Sequence, residues 1–352
     1  MRHFTIPIFI PELACPNQCV FCNQRKISGT MCQPANEEVV SIIESRLATI
    51  AKGSEVEIGF FGGNFTGIDT GLQENYLSLA QDFINKGVVR SIRLSTRPDY
   101  IDNSTLKLLK RYGVRTIELG AQSLDDEVLI KSGRGHTSMD VINASRLILE
   151  SGFELGLQMM IGLPGDSLEK CLATARMIVS LGASNTRIYP TLVIKDTALE
   201  ALYNSGGYQV LTLPEAVEWT KEVVKIFEAG NVRILRMGLH PSEGLLNGES
   251  LVAGPFHVSF GELVLSSLWE EELATILKEE VNACEALKQV NAVPGNHREK
   301  RLIVEVPPGQ VNAAVGHKGS NKAMLSGAFK EVKFRENSML AGRKFKALVE
   351  LI

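Results

Sequence analysis

Three cysteines crowd into eight residues near the N-terminus, spaced Cys15-x3-Cys19-x2-Cys22. Thiolates are soft ligands, suited to iron–sulfur clusters, zinc or copper. A cubane cluster has four irons and ordinarily takes four protein ligands. Three cysteines on one loop would leave one iron open, as a catalytic zinc keeps a position open. The C-x2-C half also fits a zinc site completed by Cys32 or a histidine, so spacing leaves both metals in play. Cys32, Cys171 and Cys284 stand alone and read as structural thiols. Cys32, nearest the triad, is the best candidate among them for a role. His240, His257 and His317 show no metal-like spacing. Glu243 and Glu249 flank a glycine-rich loop without a visible acid–base partner.

The elements that must position the triad alternate. Strands are predicted at Thr5–Ile10, Val56–Phe61, Ser91–Ser95, Arg115–Leu119, Glu154–Met159 and Ser184–Tyr189. Helical patterns fall near Glu37–Ala51, Leu72–Asn85, Asn103–Tyr112, Ser138–Glu150 and Ser167–Leu181, with Gly just past several ends. This βα order implies an α/β fold with a parallel sheet and right-handed crossovers. An open six-strand barrel and a flat doubly wound sheet both fit. The distinctive motifs recur just after successive strands, where barrels place their working loops, and this favours the barrel. After Tyr189 the pattern loosens into a loop (191–212), a helix (214–229) and a strand (232–237). A further helix is predicted at about 262–288, and Val293-Pro294-Gly295-Asn296 reads as a linker. The implied organisation is a core at 1–240, a connecting segment at 241–292 and an accessory domain at 293–352.

The 352 residues are 44% hydrophobic and 22% charged, ordinary for a globular protein, with a net charge of -3. That charge is uneven: residues 295–352 carry +6 and the rest -9. A basic terminal module on an acidic body points weakly to a polyanionic partner. Phe4 to Ile10 is too short for a signal core, contains Pro7, and is followed by Pro11 and Glu12. No stretch approaches the ~18 apolar residues of a membrane span, so a cytoplasmic protein with no membrane partner is expected.

The cysteine spacing is similar to the signature of the radical S-adenosylmethionine superfamily, and further motifs follow in order. Gly62-Gly63-Asn64-Phe65-Thr66 comes after the second strand and Ser95-Thr96-Arg97-Pro98-Asp99 after the third. Glu118-Leu119-Gly120-Ala121-Gln122-Ser123 covers the fourth, and Arg134-Gly135-His136-Thr137 comes next. Gln158 to Gly165 ends the fifth, and Arg187 to Ile194 ends the sixth. Together, over roughly residues 5–240, they resemble the radical domain of Elongator catalytic subunits and coproporphyrinogen-oxidase-like enzymes. The resemblance implies a partial (βα)6 barrel. It also implies a [4Fe-4S] cluster on Cys15, Cys19 and Cys22, whose open iron holds S-adenosylmethionine, and an external electron donor. The Gly62-Gly63-Asn64 segment would meet the methionine end, close backbone approach being the reason for glycine. Ser95, Gln122, Arg134 and Gln158 match positions that hold the ribose and carboxylate, and a guanidinium suits a carboxylate. Two departures stand out. The Ser95 position is often acidic in relatives, and the tyrosine and histidine that precede the cluster in coproporphyrinogen oxidases are absent, which argues against a porphyrinogen substrate.

The tail carries a second pattern. Leu302 to Val306 alternates like a strand, Gln310 to Val315 looks helical, and Gly316-His317-Lys318-Gly319 breaks the helix. Ser320 to Leu325 resumes it, and strand-like runs close the chain at 331–335 and 344–351. This β-α-GxxG-α-β order resembles the core of a KH domain, whose GxxG loop clamps the backbone of a short single strand. Gly316, His317, Lys318 and Gly319 are then candidate RNA contacts, and transfer RNA is the implied substrate. The sequence ends soon after this region, so the acetyltransferase domain of Elongator enzymes, and with it their complete reaction, is not expected. Two other readings compete: a radical enzyme acting on a small metabolite or peptide, and a non-catalytic iron–sulfur or zinc RNA-binding protein.

Overall fold

The computed structural model describes residues 3–11, 19–23, 33–289 and 300–352, the side chains of 280–289 excepted. The chain divides into two units, Met1–Val258 and Ser259–Ile352.

The first unit opens with β1 (His3–Ile10), α1 (Asn36–Leu47), β2 (Glu55–Gly62), α2 (Thr70–Asn85), β3 (Ser91–Thr96) and α3 (Asn103–Arg111). It continues with β4 (Val114–Gln122), α4 (Asp126–Lys131), α5 (Ser138–Glu150), β5 (Glu154–Ile161), α6 (Leu168–Ser180) and β6 (Asn185–Pro190). Then come β7 (Val193–Ile194), α7 (Ala198–Asn204), α8 (Leu213–Ala229), β8 (Arg233–Met237), α9 (Glu243–Leu246) and β9 (Leu251–Ala253). Polar side chains start the helices: Asp102 accepts from the Thr105 N–H, and Thr137 and Thr212 form capping boxes with Asp140 and Glu215. Glycines predicted just beyond helix ends take positive φ, as at Gly113 (77°) and Gly152 (80°).

Seven strands form one parallel sheet in the order β1-β2-β3-β4-β5-β6-β8, curled into a partial barrel. The barrel has one more strand than the six expected. β8, predicted as a strand, joins the sheet beside β6 because α8 supplies the crossover a parallel neighbour needs. Side chains alternate between the two faces. Ile6, Ile8, Ile58, Phe60, Ile92, Leu94, Ile117, Leu119, Leu155, Leu157 and Ile188 form the buried apolar face. The other parity carries Thr5, Glu57, Arg93, Glu118, Gln158 and Arg187, which meet one another on the inner face.

Short elements escaped the sequence pattern. The predicted 191–212 loop holds β7 and α7, and β7 pairs antiparallel with β9. A two-residue strand and a seven-residue helix are too brief to show a period. The six-residue α4 escaped for the same reason.

In the second unit, α10 (Phe260–Gln289) precedes β10 (Lys300–Val306), α11 (Val311–Val315), α12 (Ser320–Ser326), β11 (Glu331–Glu336) and β12 (Lys346–Leu351). β10 is central, parallel to β11 and antiparallel to β12. Trp269, Leu273 and Ile276 of α10 pack on Leu302, Val304, Val306, Leu325 and Phe329, so α10 builds this unit's core. The linker predicted at 293–296 lies outside the described residues. Among those residues no helix is long and apolar enough to cross a membrane.

Candidate active site

The cysteine loop is anchored on elements the sequence pattern missed. The Val20 N–H donates to Ser132 O at the end of α4 (3.0 Å), and Leu199 N–H of α7 donates to Val20 O (2.7 Å). Val20 packs on Val193, Leu199 and Tyr208, while Phe21 packs on Val128, Met160 and Leu163. A turn, Cys22 N–H to Cys19 O at 3.0 Å, sets the two cysteines close together. Cys19 is buried and Cys22 half-buried. Cys15 and Cys32 lie outside the described residues, and the described residues alone contain no group of three metal ligands.

Arg134 joins this loop to the end of β4. Its Nη1 donates to Cys19 Sγ at 3.2 Å and its Nη2 to Gly120 O at 2.5 Å. Arg97, paired with Asp99 through two 2.9 Å hydrogen bonds, donates to Arg134 O at 2.8 Å. His136 is buried with Nε2 3.3 Å from Ala121 O. Burial, then the neighbouring Arg134, lowers its pKa to about 4. Gln122 ends β4 at φ 66°, where the β4–β5 register breaks. Gln122 Oε1, Arg134 Nε and His136 Nδ1 are buried without hydrogen-bond partners among the described residues. Three such polar atoms at one strand end, beside a cysteine, fit a polar ligand that supplies the missing partners.

Ser95 and Gln158 come together deeper in the barrel. Gln158 Nε2 donates to both Ser95 Oγ and Glu118 Oε2, each at 3.0 Å. Glu118 is 1% exposed and accepts from Arg93 Nη1 (2.6 Å) and from Arg187 Nε (2.6 Å) and Nη2 (3.2 Å). Burial pushes its carboxyl pKa up, but Arg187, Arg93 and Gln158 pull harder, so it sits below the usual range. Arg93 Nε lies 2.6 Å from Glu57 Oε1 as an ion pair whose N–H is poorly aimed for a hydrogen bond. Glu57 also takes the Thr5 hydroxyl at 2.8 Å and lies 3.4 Å from His3 Nε2. A ladder of charges therefore crosses the inner face from β1 to β6. The sequence reading did not assign Glu57 or Arg93. The available signal was a charged residue inside each of several consecutive β-rich runs.

The glycine loop after β2 has a structural reason for its composition. Gly62 adopts φ 130°, and a Cβ there would lie 1.9 Å from Ile10 O. Glycine is thus demanded by the neighbouring strand before any ligand is considered. Asn64 ties the loop to β3: its Oδ1 accepts from Thr96 Oγ1 (2.6 Å) and from the Arg97 N–H (3.3 Å). Gly63, between them, is half-buried. Cys171, expected as a structural thiol, is buried and donates to Asp166 Oδ2 at 2.9 Å. Asp166 in turn accepts from the Gly162 and Ser167 N–H groups and shapes the turn after β5.

The GxxG segment belongs to the second unit. Gly316 (φ 88°) has no room for a side chain, since a Cβ would meet Ser320 Oγ at 2.4 Å and Asn321 N at 2.7 Å. Lys318 (φ 54°) and Gly319 (φ 79°) are left-handed, which turns the loop outward between α11 and α12. The His317 N–H donates to Ser266 Oγ (2.8 Å) and Asn321 Nδ2 to Ser266 O (2.9 Å), holding the loop on α10. Beside α11, α12 and β11 runs a cleft of about 400 Å³, apolar at Val311, Val315 and Phe334 and basic at Lys322, Lys333 and Arg335.

Comparison with known proteins places this geometry. The profile of the Radical SAM superfamily matches residues 10–178, and that of the Radical_SAM C-terminal domain matches residues 184–270. A tRNA uridine(34) acetyltransferase of Dehalococcoides mccartyi is 27% identical over 58% of this chain and 52% of its own length. The heme chaperone HemW of Bacillus subtilis is 29% identical over 62% of this chain and 59% of its own. The chain thus spans little more than half the length of these curated relatives. The solved structure of the archaeal Methanocaldococcus infernus Elp3, lacking residues 1–46, superposes with a TM-score of 0.63 at 21% identity, covering 77% of this chain and 63% of that one. That likeness is one of fold. Two profiles that between them match well over half of the sequence, on a parallel partial barrel with Cys19 beside the end of β4, make the chain a member of the radical S-adenosylmethionine superfamily.

Proposed function

We propose that this protein is a radical S-adenosylmethionine enzyme that modifies RNA, with a transfer RNA as substrate. Enzymes of this superfamily use a [4Fe-4S] cluster and S-adenosylmethionine. Cys15, Cys19 and Cys22 would hold the cluster, which when reduced by an external donor supplies the electron that cleaves the sulfonium. Arg134, with one N–H unpartnered, would pair with the methionine carboxylate. The Gln122 amide would hold a hydroxyl or amine through its open oxygen. Gly62, Gly63 and Asn64 would line the methionine end, and Ser95 and Gln158 the ribose side. The half-buried cysteine loop, closed by Phe21 on Met160 and Leu163, would exclude water from the reacting centre.

The observation that carries the RNA half is the GxxG loop, with Gly316 too crowded for a side chain and the basic-rimmed cleft beside it. Single-stranded nucleic acid suits such a cleft: bases on the apolar floor, phosphates on the rim. The tRNA uridine(34) acetyltransferase among the relatives supports the same substrate. The proposal covers the radical step and the RNA, not the whole activity of that longer relative.

The test is anaerobic. The reconstituted protein is given S-adenosylmethionine and a strong reductant, and deoxyadenosine is measured with and without transfer RNA. Formation that rises with RNA is expected. Formation indifferent to RNA would favour a small molecule or peptide. No deoxyadenosine from a fully clustered protein would overturn the enzyme reading.

A further inference from the structure

Not every guanidinium on the inner face of the barrel has a carboxylate partner among the described residues. Glu57 and Glu118 face Arg93 and Arg187, and each of those guanidiniums lies 2.6 Å from a carboxylate. Arg236, on β8, is the register partner of Arg187 on β6 and is a third guanidinium on the same face. No carboxylate pairs with it among the described residues. Its Nε donates to Gly238 O at 3.1 Å and its Nη2 to Leu239 O at 3.5 Å, both backbone carbonyls. Arg93 and Arg187 each have a carboxylate partner, and Arg236 beside them has only backbone carbonyls.

A half-buried cation beside another cation is unfavourable in the free protein. Burial depresses the Arg236 pKa, and Arg187 depresses it further. Such a charge persists most economically where a ligand anion completes it. Tyr189, two residues along β6 from Arg187, interacts with both arginines. Its ring and that of Phe21, in the cysteine loop, both pack on the Val128, Met160 and Leu163 cluster. Arg187 is already committed to Glu118 and lies 4.9 Å over the Phe61 ring. Arg236 is therefore the cation without a carboxylate, and Tyr189, on the neighbouring strand, is the hydroxyl beside it.

We propose that Arg236 and Tyr189 form an oxyanion subsite on the inner face of the barrel, which takes a phosphate of the substrate nucleotide. This deepens the RNA reading and rests on it. A guanidinium matches a phosphate in a forked, charge-assisted geometry, and a phenol adds one donor. The subsite would hold the target nucleotide by its backbone and leave the base and sugar facing the cysteine loop.

The test is equilibrium binding of uridine 5′-monophosphate and of uridine to the full, reconstituted chain, read by calorimetry without reductant. Wild type is expected to bind the monophosphate roughly tenfold tighter than the nucleoside, the scale of one charge-assisted contact. Arg236→Gln removes that advantage and leaves uridine binding unchanged. Arg236→Lys keeps part of it, and Tyr189→Phe lowers it by severalfold. Each variant's melting temperature is measured alongside, and Tyr189→Phe carries the test if Arg236→Gln fails to fold. Equal binding of monophosphate and nucleoside by wild type, or an advantage that survives both Arg236→Gln and Tyr189→Phe, overturns the subsite. Deoxyadenosine formation with transfer RNA is scored separately, so the RNA reading stands or falls on its own measurement.

Discussion

The guanidinium of Arg134 reaches the sulfur of Cys19 at 3.2 Å, across 115 residues of chain. The same group holds Gly120 O, while its Nε is buried and unpartnered. It therefore stands between the cysteine loop and the end of β4. Arg134→Gln is expected to weaken S-adenosylmethionine binding about ten- to hundredfold, since a charged hydrogen bond contributes about 1.5–3 kcal/mol. Iron content should stay near wild type because the cysteines are untouched. Equilibrium dialysis with iron analysis checks both, and undiminished affinity would remove Arg134 from the cofactor site.

Glu118 is the hub of the inner ladder. Glu118→Gln leaves Arg93 with Glu57 alone and takes from Arg187 its carboxylate partner. A loss of about 3–5 kcal/mol is expected, the usual cost of breaking a buried ion pair from one side. Arg187→Gln in the same chain should recover part of it, because the two changes act on one interaction. Denaturant melts of the two single variants and the double variant measure this. Strict additivity would show that the ladder is not coupled.

His136 sets an acid limit on stability. A free histidine titrates near 6.5, whereas burial and Arg134 hold His136 to about 4. Between these values the unfolded chain binds a proton that the folded chain refuses. The stabilising contribution is therefore complete above about pH 6.5 and is lost as pH falls through 4. The full effect is on the order of 3 kcal/mol. Stability measured from pH 7 to 4 should slope less in His136→Gln than in wild type. Parallel curves would assign the acid sensitivity to other groups.

Two glycines separate crowding from dihedral strain. Gly62→Ala places a Cβ against Ile10 O at φ 130°, whereas Gly319→Ala finds nothing within 4 Å. The first should cost roughly 2–4 kcal/mol, through overpacking and strain together. The second costs about 1 kcal/mol, from the left-handed backbone alone. Comparable losses, read by thermal melts, would place the Gly62 requirement elsewhere.

The GxxG loop can be disabled without touching the barrel. Lys318→Ala with Gly319→Asp is expected to lower transfer-RNA affinity at least tenfold through lost and opposed charge. The melting temperature should fall by only a few degrees, since Gly319 is uncrowded. S-adenosylmethionine cleavage without RNA should be unchanged. Wild-type RNA retention in this variant would leave the second unit a structural accessory.

Local signals were legible in the chain itself. The Cys15-Cys19-Cys22 spacing, the βα alternation with glycines closing helices, and the GxxG break between two short helices each lie within a few turns of sequence. They depend on ligand spacing, side-chain period and backbone freedom, all of which are local properties. They were enough for the barrel and its family. Tertiary structure decided the rest. Glu118 meets Arg93 and Arg187 only because β3, β4 and β6 curl toward a common inner face in a fixed register. The reason Gly62 must be glycine sits in another strand, at Ile10 O. Val20, next to Cys19, is held by Ser132 and Leu199, from helices too short to leave a period. Arg236 becomes a spare charge only when β8 docks beside β6, since whether a charge is compensated depends on neighbours that chain order does not specify.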